Sequence, residues 1–250
     1  MSKSSLLIIF CSLLIKLSVA EAPLSVNHWV VWDIGQGQWV THVLTDECIH
    51  YDVGGEIGRF KWVQKSLISQ CSDKKNFILL SHWDYDHFMH IPQLIKAIRD
   101  VCWLQQPKLF GKMNKSMAQV LSLKIPFCTN SPSVEISSWA PLVAKTSNDS
   151  SRVSFDQGFL LPGDSTVREE KIWSTALLRV RDTKVLVLGH HGSRTSTSTL
   201  LLNHLPNIKM AVASARFKKY HHPHKDTVLR LAKNKTPILK TEDWGSIWFF

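Results

Sequence analysis

A dense group of potential metal ligands lies about one third of the way along the chain. Residues 81–87 read Ser-His-Trp-Asp-Tyr-Asp-His and follow the apolar run Phe77-Ile78-Leu79-Leu80. That run predicts a buried strand, so the ligands stand where a strand ends and a loop opens. Imidazole and carboxylate groups at this density suit Zn²⁺ or Mn²⁺. The side chains that could coordinate are His82, Asp84, Asp86 and His87.

The chemistry of such a cluster depends on how many ions it holds. Two ions about 4 Å apart can activate a water molecule and stabilise the oxygens of a phosphoester displacement. The segment could instead be a polar surface loop, although His-x-Asp-x-Asp-His is an unusual pattern for a loop. We therefore expect two divalent metal ions, either Zn²⁺ or Mn²⁺.

Further polar residues stand at the ends of other apolar runs. Because strand ends on one edge of a sheet can converge, residues far apart in sequence could share this site. Structural alternatives exist: aspartates beside glycine form turns, and Ser193 after the histidine pair could cap a helix. Tandem histidines at the end of a buried strand are harder to explain in this way. The candidates are Asp33, Asp52, Asp164, His190 and His191.

Alternating strands and helices must position these side chains. Apolar and alternating runs predict strands at 28–34, 40–44, 48–53, 77–80, 101–104, 108–110, 152–161, 184–188, 210–214, 238–240 and 246–250. Helical spacing predicts helices at 57–69, 91–98, 114–123, 169–176, 197–204 and 225–233. Residues 126–151 are rich in Ser, Pro, Asn and Thr and predict a mobile loop. The alternation indicates a layered α/β architecture.

Composition narrows the class of protein and its partners. The chain has 250 residues, of which 44% are hydrophobic and 20% charged, as in an ordinary globular domain. The formal net charge of +10 favours anionic partners such as nucleic acid or another anionic polymer. Simple solubility would also explain a positive charge.

The first twenty residues predict a separate unit. Lys3 precedes an apolar run over 6–15, and Ser18-Val19-Ala20 offers small residues for cleavage. This pattern is typical of a secretory signal peptide, and the run is too short for a membrane span. We expect residues 1–20 to be removed and residues 21–250 to form one secreted or periplasmic domain without a membrane span.

Four cysteines remain in the expected mature chain. None forms a Cys-x-x-Cys pair, so a zinc ribbon is unexpected. An exported protein could join them in one or two disulfides, whose pairing the sequence leaves open. They are Cys48, Cys71, Cys102 and Cys128.

Taken together, the motifs resemble the metallo-β-lactamase fold, and within it the hydrolase domain of ComEC-type competence proteins. The resemblance runs from about Val30 to Phe249 and implies an α/β, four-layer αββα sandwich. Its motifs are Asp33-Ile34-Gly35-Gln36-Gly37, Asp52-Val53-Gly54-Gly55, His82-x-Asp84-x-Asp86-His87, Asn148-Asp149-x-Ser151, Gly163-Asp164, His190-His191-Gly192-Ser193, Tyr220 through His222-Pro223-His224, and Thr241-Glu242-Asp243-x-Gly245.

Several positions depart from the family pattern. Asp84 stands where many relatives have His, Gln38 replaces an acidic residue, and His221 replaces a Gly. A mid-chain ligand histidine has no evident counterpart, so water or His222 could complete that metal site. The membrane channel and accessory domain of full competence proteins have no counterpart here, so DNA uptake is not carried over.

The resemblance and the ligand chemistry imply a catalytic scheme. His82 and Asp84 hold one metal, Asp86 and His87 hold the other, and Asp164 bridges them. His190 is the preferred further ligand and His191 the second choice. A metal-activated hydroxide attacks phosphorus.

Other residues near these motifs have expected roles in proton transfer and substrate binding. Besides the catalytic ligand Asp86, His222 or His224 protonates the leaving oxygen or contacts the phosphate, although His-Pro-His could also be a rigid turn. The expected substrate-binding residues are Asn148, Ser193, Arg194, Lys218 and Lys219; as lone basic residues, the cations among them could equally be solvated surface.

The leading hypothesis is a secreted, metal-dependent phosphodiesterase that acts on DNA as a nuclease. One alternative is a hydrolase of another envelope ester, such as phosphorylcholine on a cell-wall polymer, or of a lactam or lactone. Another is a non-catalytic module that binds polyanions. Metal content separates these classes, since a pure binding module has no need of two ions.

Overall fold

A computed structural model describes residues 27–250, in which two six-stranded sheets lie face to face. The predicted signal peptide at residues 1–20 lies outside this range. The strands are β1 His28–Val31, β2 Val40–Val43, β3 Glu47–Tyr51, β4 Lys75–Leu79, β5 Val101–Gln105, β6 Ile136–Trp139, β7 Val153–Asp156, β8 Phe159–Leu161, β9 Val185–Val187, β10 Met210–Ala213, β11 Ile238–Lys240 and β12 Ile247–Phe249.

Helices connect the strands and cover the outer faces of both sheets. They are α1 Phe60–Cys71, α2 Tyr85–Phe88, α3 Ile91–Ala97, α4 Lys115–Ser122, α5 Val167–Ala176, α6 Thr199–Asn203, α7 Phe217–Tyr220, α8 Lys225–Lys233 and α9 Thr241–Trp244. Among the residues that the structure describes, no helix has the length and apolar character to cross a membrane.

Each of the two sheets combines antiparallel and parallel strands. The first sheet runs β12-β1-β2-β3-β4-β5 and the second β11-β10-β9-β8-β7-β6. In the first, β3, β4 and β5 are parallel, and in the second, β8, β9, β10 and β11 are parallel. Parallel strands direct their carboxyl ends to one edge, where ligand-bearing loops can meet.

Three apolar layers hold the four structural layers together. Between the sheets, Trp29 and Phe77 of the first sheet belong to the same buried cluster as Leu161 of the second. A second cluster joins the outer face of the first sheet to α1, α3 and α4. A third joins the outer face of the second sheet to α5, α6 and α8. The predicted four-layer αββα sandwich is confirmed.

Three local predictions were wrong. The segment 108–110 is not a strand, and the expected loop 126–151 contains β6, which pairs with β7. β6 reads Ile-Ser-Ser-Trp, whose two serines carry little strand preference, so pairing with a neighbour decides its structure. The single strand expected over 152–161 is a hairpin that turns at Gln157-Gly158, where both φ angles are positive.

Two disulfides pair the four cysteines. Cys48 on β3 joins Cys71 at the end of α1, and Cys102 on β5 joins Cys128. The two cysteines of each bridge are 23 and 26 residues apart in sequence, respectively. Closing a loop of that length stabilises the fold by about 3 kcal/mol if the entropy of the unfolded chain dominates. Both bridges therefore brace the sheet that carries the predicted metal loop.

A buried histidine in the first sheet makes folding stability sensitive to acid. His50 accepts a hydrogen bond from Trp39 and lies 3.0 Å from the Asn76 side-chain oxygen. Burial lowers the pKa of His50 from 6.5 to about 4, although the Asn76 contact raises it. The unfolded chain therefore binds a proton between pH 6.5 and 4 that the folded chain does not bind.

We expect His50 to contribute about 3 kcal/mol to the loss of stability as the pH falls from 6.5 to 4. The free energy of unfolding in urea should decline less over this range in His50→Gln than in the wild type. His221→Asn, which changes an exposed histidine, serves as the control. An equally steep decline in His50→Gln and the wild type would show that His50 does not carry the effect.

Candidate metal centre

The loop after β4 carries the ligand motif and is held by backbone contacts to two glycine-rich turns. Gln38 and Gly55 donate backbone hydrogen bonds to the Asp86 carbonyl at 3.1 and 3.0 Å, and Val53 donates to that of His87 at 2.8 Å. A Cβ atom on Gly54 would overlap the Asp86 carbonyl. The backbone of the metal loop therefore fits against these turns only because a side chain is missing there.

Three histidine rings are oriented through their Nδ1 atoms. His87 Nδ1 lies 2.8 Å from an Asp52 carboxylate oxygen, and His82 Nδ1 lies 2.9 Å from the Ser81 hydroxyl. His191 Nδ1 donates to the Ser214 carbonyl at 3.2 Å. With Nδ1 occupied, each ring is left with Nε2 as the atom available to a metal ion.

Asp52 organises this support from a fully buried position. It accepts hydrogen bonds from the Ser81 backbone and hydroxyl at 2.6 and 2.9 Å, and from the Gln38 amide at 2.9 Å, besides its contact to His87. From the sequence, Asp52 could either form a turn beside its glycines or belong to the site; its contacts place it directly behind the His87 ring. Gln38, the departure from the family's acidic residue, supplies a neutral donor to this buried carboxylate.

Asp164 lies at the centre of the cluster, and its two oxygens face different histidines. Oδ1 lies 3.0 Å from His87 Nε2 and 3.7 Å from His191 Nε2. Oδ2 lies 3.6 Å from His190 Nε2 and 3.9 Å from His82 Nε2. The Asp164 carboxylate therefore lies between two groups of histidines, and each of its oxygens could face a cation.

Two further carboxylates, Asp84 and Asp86, lie beside the histidines on either side of Asp164. Asp84 Oδ2 lies 3.3 Å from His82 Nε2, and Asp86 Oδ2 lies 3.0 Å from His191 Nε2. The side chains of Asp84 and Asp86 are 35% and 34% exposed, whereas that of Asp164 is only 4% exposed. The cluster therefore has a buried floor and an open rim through which a substrate can approach.

The cluster passes a simple test of whether it fits metal ions. Within residues 27–250, four of its buried atoms make no well-aligned hydrogen bond, although two His–Asp pairs approach to 3.0 Å: His82 Nε2, His87 Nε2, Asp164 Oδ1 and His191 Nε2. Unpartnered buried polar atoms are costly and rare in folded proteins. Four of them that converge on one point are explained by cations bound between them, and mixed imidazole and carboxylate ligands suit Zn²⁺ or Mn²⁺.

The two tandem histidines lie in different positions relative to the cluster. Ligand atoms of Asp86, His87 and His191 lie within 4.8 Å of one another, as do those of His82, His87 and Asp164. The expected first choice, His190, lies at the rim with its side chain 29% exposed, and Asp164 Oδ2 is the carboxylate oxygen it approaches. His191 is buried and belongs to one of the two groups, whereas His190 belongs to neither.

The backbone of the tandem histidines is strained. Both residues adopt the left-handed region, with φ of 48° for His190 and 55° for His191. Each such residue costs about 1–3 kcal/mol and persists only where its surroundings hold it. Here the His190 N–H donates to the Gly163 carbonyl at 3.0 Å. The tandem histidines are thus tied to the turn that carries Asp164.

The electrostatics of the cluster favour cations. Burial raises the pKa of Asp164, but His87 and His191 lower it further, so the carboxyl remains ionised well below its usual range. The pKa of Asp86 is likewise lowered below its usual range, since the nearby His191 and His87 rings outweigh burial. Conversely, Asp164 and Asp52 raise the pKa of His87 despite its burial.

The two predicted proton-transfer histidines lie in different environments. Gln36 Nε2 lies 3.1 Å from His222 Nδ1, and the His222 ring centroid lies 6.0 Å from that of His190. Burial, followed by the nearby His191 and His190, lowers the pKa of His222 to about 4. His224 instead accepts a hydrogen bond from the Asp226 backbone and caps α8.

The predicted substrate-binding residues divide into two sets. The Asn148 amide lies 3.2 Å from His190 Nδ1, and Lys219 Nζ lies 3.0 Å from Glu56 at a cleft beside Asp86. In contrast, Ser193 hydrogen-bonds Thr195, and the expected helix cap is wrong because Ser198, not Ser193, caps α6. Lys218 and Arg194 are exposed.

One ligand of the metal loop has a partner that sequence reasoning missed. The Ser147 hydroxyl donates to Asp84 Oδ1 at 2.5 Å. Ser147 lies in a serine-rich stretch that predicted a loop, and only its position just before Asn148-Asp149 hinted at a role. The loop over 140–148 therefore reaches the metal centre through both Ser147 and Asn148.

Comparisons with known proteins agree with the resemblance to competence proteins. No family model matches the chain. It is 27% identical over 229 residues to "Recombination protein 2" of Haemophilus influenzae, covering 86% of this chain and 28% of that protein. It is 25% identical over 226 residues to "Competence protein ComA" of Neisseria gonorrhoeae, covering 88% and 31%. It is 31% identical over 65 residues to "ComE operon protein 3" of Bacillus subtilis, covering 26% and 8%.

The chain thus spans less than one third of the length of these relatives. Among solved structures, it is similar to the metallo-β-lactamase fold protein YhfI of Bacillus subtilis, with a TM-score of 0.53 and 10% identity. That similarity covers 90% of this chain and 99% of the other. The protein therefore has the metallo-β-lactamase fold and is a distant relative of the competence proteins.

Proposed function

We propose that the protein is a metal-dependent phosphodiesterase that cleaves nucleic acid outside the cytoplasm. The observation that carries this proposal is the arrangement of Asp164, whose two oxygens face separate groups of ligands. One ion would be held by His82, Asp84, Asp164 and His190, and the other by Asp86, His87, Asp164 and His191. When bound, the two ions would polarise a phosphoryl oxygen and lower the pKa of a water molecule.

The residues of the chain supply positioning and proton contacts. Asp84 and Asp86 lie at the open rim, where they face an incoming phosphodiester. His222, with Nδ1 turned to Gln36, presents Nε2–H as a hydrogen-bond donor near His190. The neutral imidazole N–H can donate a hydrogen bond to a phosphate oxygen or to the leaving oxygen. We assign His224 the structural role of capping α8.

A cleft beside Asp86 favours a polyanion as the substrate. It has a volume of about 460 Å³ and is lined in part by Arg59, Arg216, Lys219, Tyr85 and Tyr220, while Glu56 in the same wall pairs with Arg216 and Lys219. Cations beside aromatic rings are typical of surfaces that bind single-stranded nucleic acid. The relatives are named for competence and recombination, processes that handle DNA.

Two disulfides support a location outside the cytoplasm, because reducing compartments rarely maintain them. We therefore propose that the chain acts after export, in keeping with the signal-peptide pattern of residues 1–20.

Cleavage of labelled single-stranded DNA tests the proposal. The wild type, Asp86→Ala and the control Asp182→Ala, which changes an exposed carboxylate, are each assayed with Mn²⁺, with Zn²⁺ and with chelator. We expect cleavage by the wild type and control with metal, and at least a hundred-fold loss in Asp86→Ala, as for removal of a strong electrostatic contact. Two bound ions without any cleavage would reject the nuclease and direct attention to envelope esters, lactams or lactones. Absence of bound metal would favour a binding module.

A further inference from the structure

A second cleft adjoins the metal centre and is built differently from the first. This apolar cleft has a volume of about 390 Å³ and is walled by the segments 107–110 and 140–144. Leu109, Phe110 and Leu142 line it and are exposed to solvent. Exposed apolar side chains that line a concave surface mark a site for a ligand.

The apolar cleft is connected to the metal centre through short contacts. Ser81, which lines it, directly precedes His82. The Arg152 N–H donates to the Ser81 carbonyl at 3.0 Å. The neighbouring Ser151 hydroxyl accepts a hydrogen bond from the Asp164 N–H at 3.1 Å. A group bound in the cleft would therefore lie beside the reacting phosphate.

A partly buried arginine lines this cleft without an acidic partner. Arg152 donates to the Ser138 hydroxyl at 3.3 Å, while its Nε is buried and unbonded within residues 27–250. No carboxylate of that range forms an ion pair with Arg152, whereas Arg59, Arg168 and Arg216 each pair with at least one. Burial lowers the pKa of the Arg152 guanidinium, and no acidic group offsets that effect.

An unpaired charge in such a position costs folding free energy. A hydrophobic residue would fill the same space at lower cost. A destabilising charge beside a candidate reaction centre is typical of a residue that serves function at the expense of stability. Arg152 supplies a positive charge, and the apolar walls supply a surface for a flat ring.

We propose that Arg152 anchors a phosphate next to the scissile one, with the attached base against Leu109, Phe110 and Leu142. This inference rests on the proposed function and assigns the apolar cleft as a nucleotide subsite. Lys108 also lines the cleft, which adds a second cation for the same anionic backbone. The cleft volume lies within the range of pockets that bind small organic groups.

Binding of a fluorescent five-nucleotide thymidylate strand tests this assignment. Anisotropy is measured with chelator and again with Ca²⁺ for the wild type, Arg152→Met, Arg152→Lys and Arg181→Met. Arg181 is exposed and lies outside the clefts, so its variant removes one positive charge as a control. We expect about ten-fold weaker binding in Arg152→Met, a smaller loss in Arg152→Lys, and a salt dependence reduced by roughly one phosphate contact.

The melting temperature separates this role from a structural one. Because the buried charge has no partner, Arg152→Met should melt at the same temperature as the wild type or higher. Wild-type affinity in Arg152→Met would overturn the assignment, as would a lowered melting temperature or no strand binding by the wild type in either condition. Since binding requires no turnover, a protein that binds through Arg152 but cleaves nothing would contradict only the proposed function.

Discussion

Replacing Asp164 by Asn is expected to remove one of the two metal ions and to slow hydrolysis about a thousand-fold, which corresponds to about 4 kcal/mol of transition-state stabilisation. Asp164 presents Oδ1 to His87 and His191, and Oδ2 to His190 and His82. An amide keeps one carbonyl oxygen but loses the second anionic oxygen. One side of the centre therefore loses a ligand together with the charge that balances its cation.

Metal content after dialysis gives the primary measurement, because it does not depend on knowing the substrate. We expect about two equivalents of Zn²⁺ or Mn²⁺ in the wild type and at most one in Asp164→Asn. Asp182→Asn, at an exposed position, should bind as the wild type does. Two equivalents in Asp164→Asn would show that this carboxylate does not bridge the ions.

Replacing Asp52 by Asn is expected to weaken metal binding roughly 10–100-fold, although Asp52 is not itself a proposed ligand. Asp52 receives four hydrogen bonds, from Ser81 twice, from Gln38 and from His87. An asparagine NH₂ group would oppose at least one of these donors. The His87 ring would then lose either its orientation or the basicity that the carboxylate confers on Nε2.

Competition with a chelator measures this affinity, and Asp46→Asn, an exposed aspartate near β3, is the matched control. Asp52 is also buried, so the melting temperature of the metal-free protein should fall in Asp52→Asn. Unchanged affinity in a folded Asp52→Asn protein would mean that the loop backbone alone positions His87.

The sequence was sufficient for the fold because its strong signals are local. The apolar run over 77–80 and the glycine motifs are continuous in sequence, and the structure places them as strand ends and tight turns. The strand β6 was missed because Ser137 and Ser138 have no intrinsic preference for a strand. Only the antiparallel partner β7, which is contiguous in space, determines its conformation.

The sequence predicts which residues are candidates for the site, but not how they are arranged around Asp164. Every proposed ligand lies in a recognisable motif, yet which oxygen of Asp164 faces which histidine depends on two sheets that pack together. Disulfide pairing was open for the same reason, since Cys48 and Cys71 meet only when α1 packs on β3. Arg152 gave no sequence signal, because a missing partner is visible only in three dimensions.

The glycine turns beneath the metal loop have a consequence for how related chains should be judged. Gly54 and Gly55 contact the Asp86 backbone and none of its chemistry-bearing atoms. A descendant that had lost every metal ligand would still need these glycines to fold. Their presence in a diverged homologue is thus a marker of ancestry alone, and only the set from His82 to His191 tells whether such a homologue keeps the proposed metal centre.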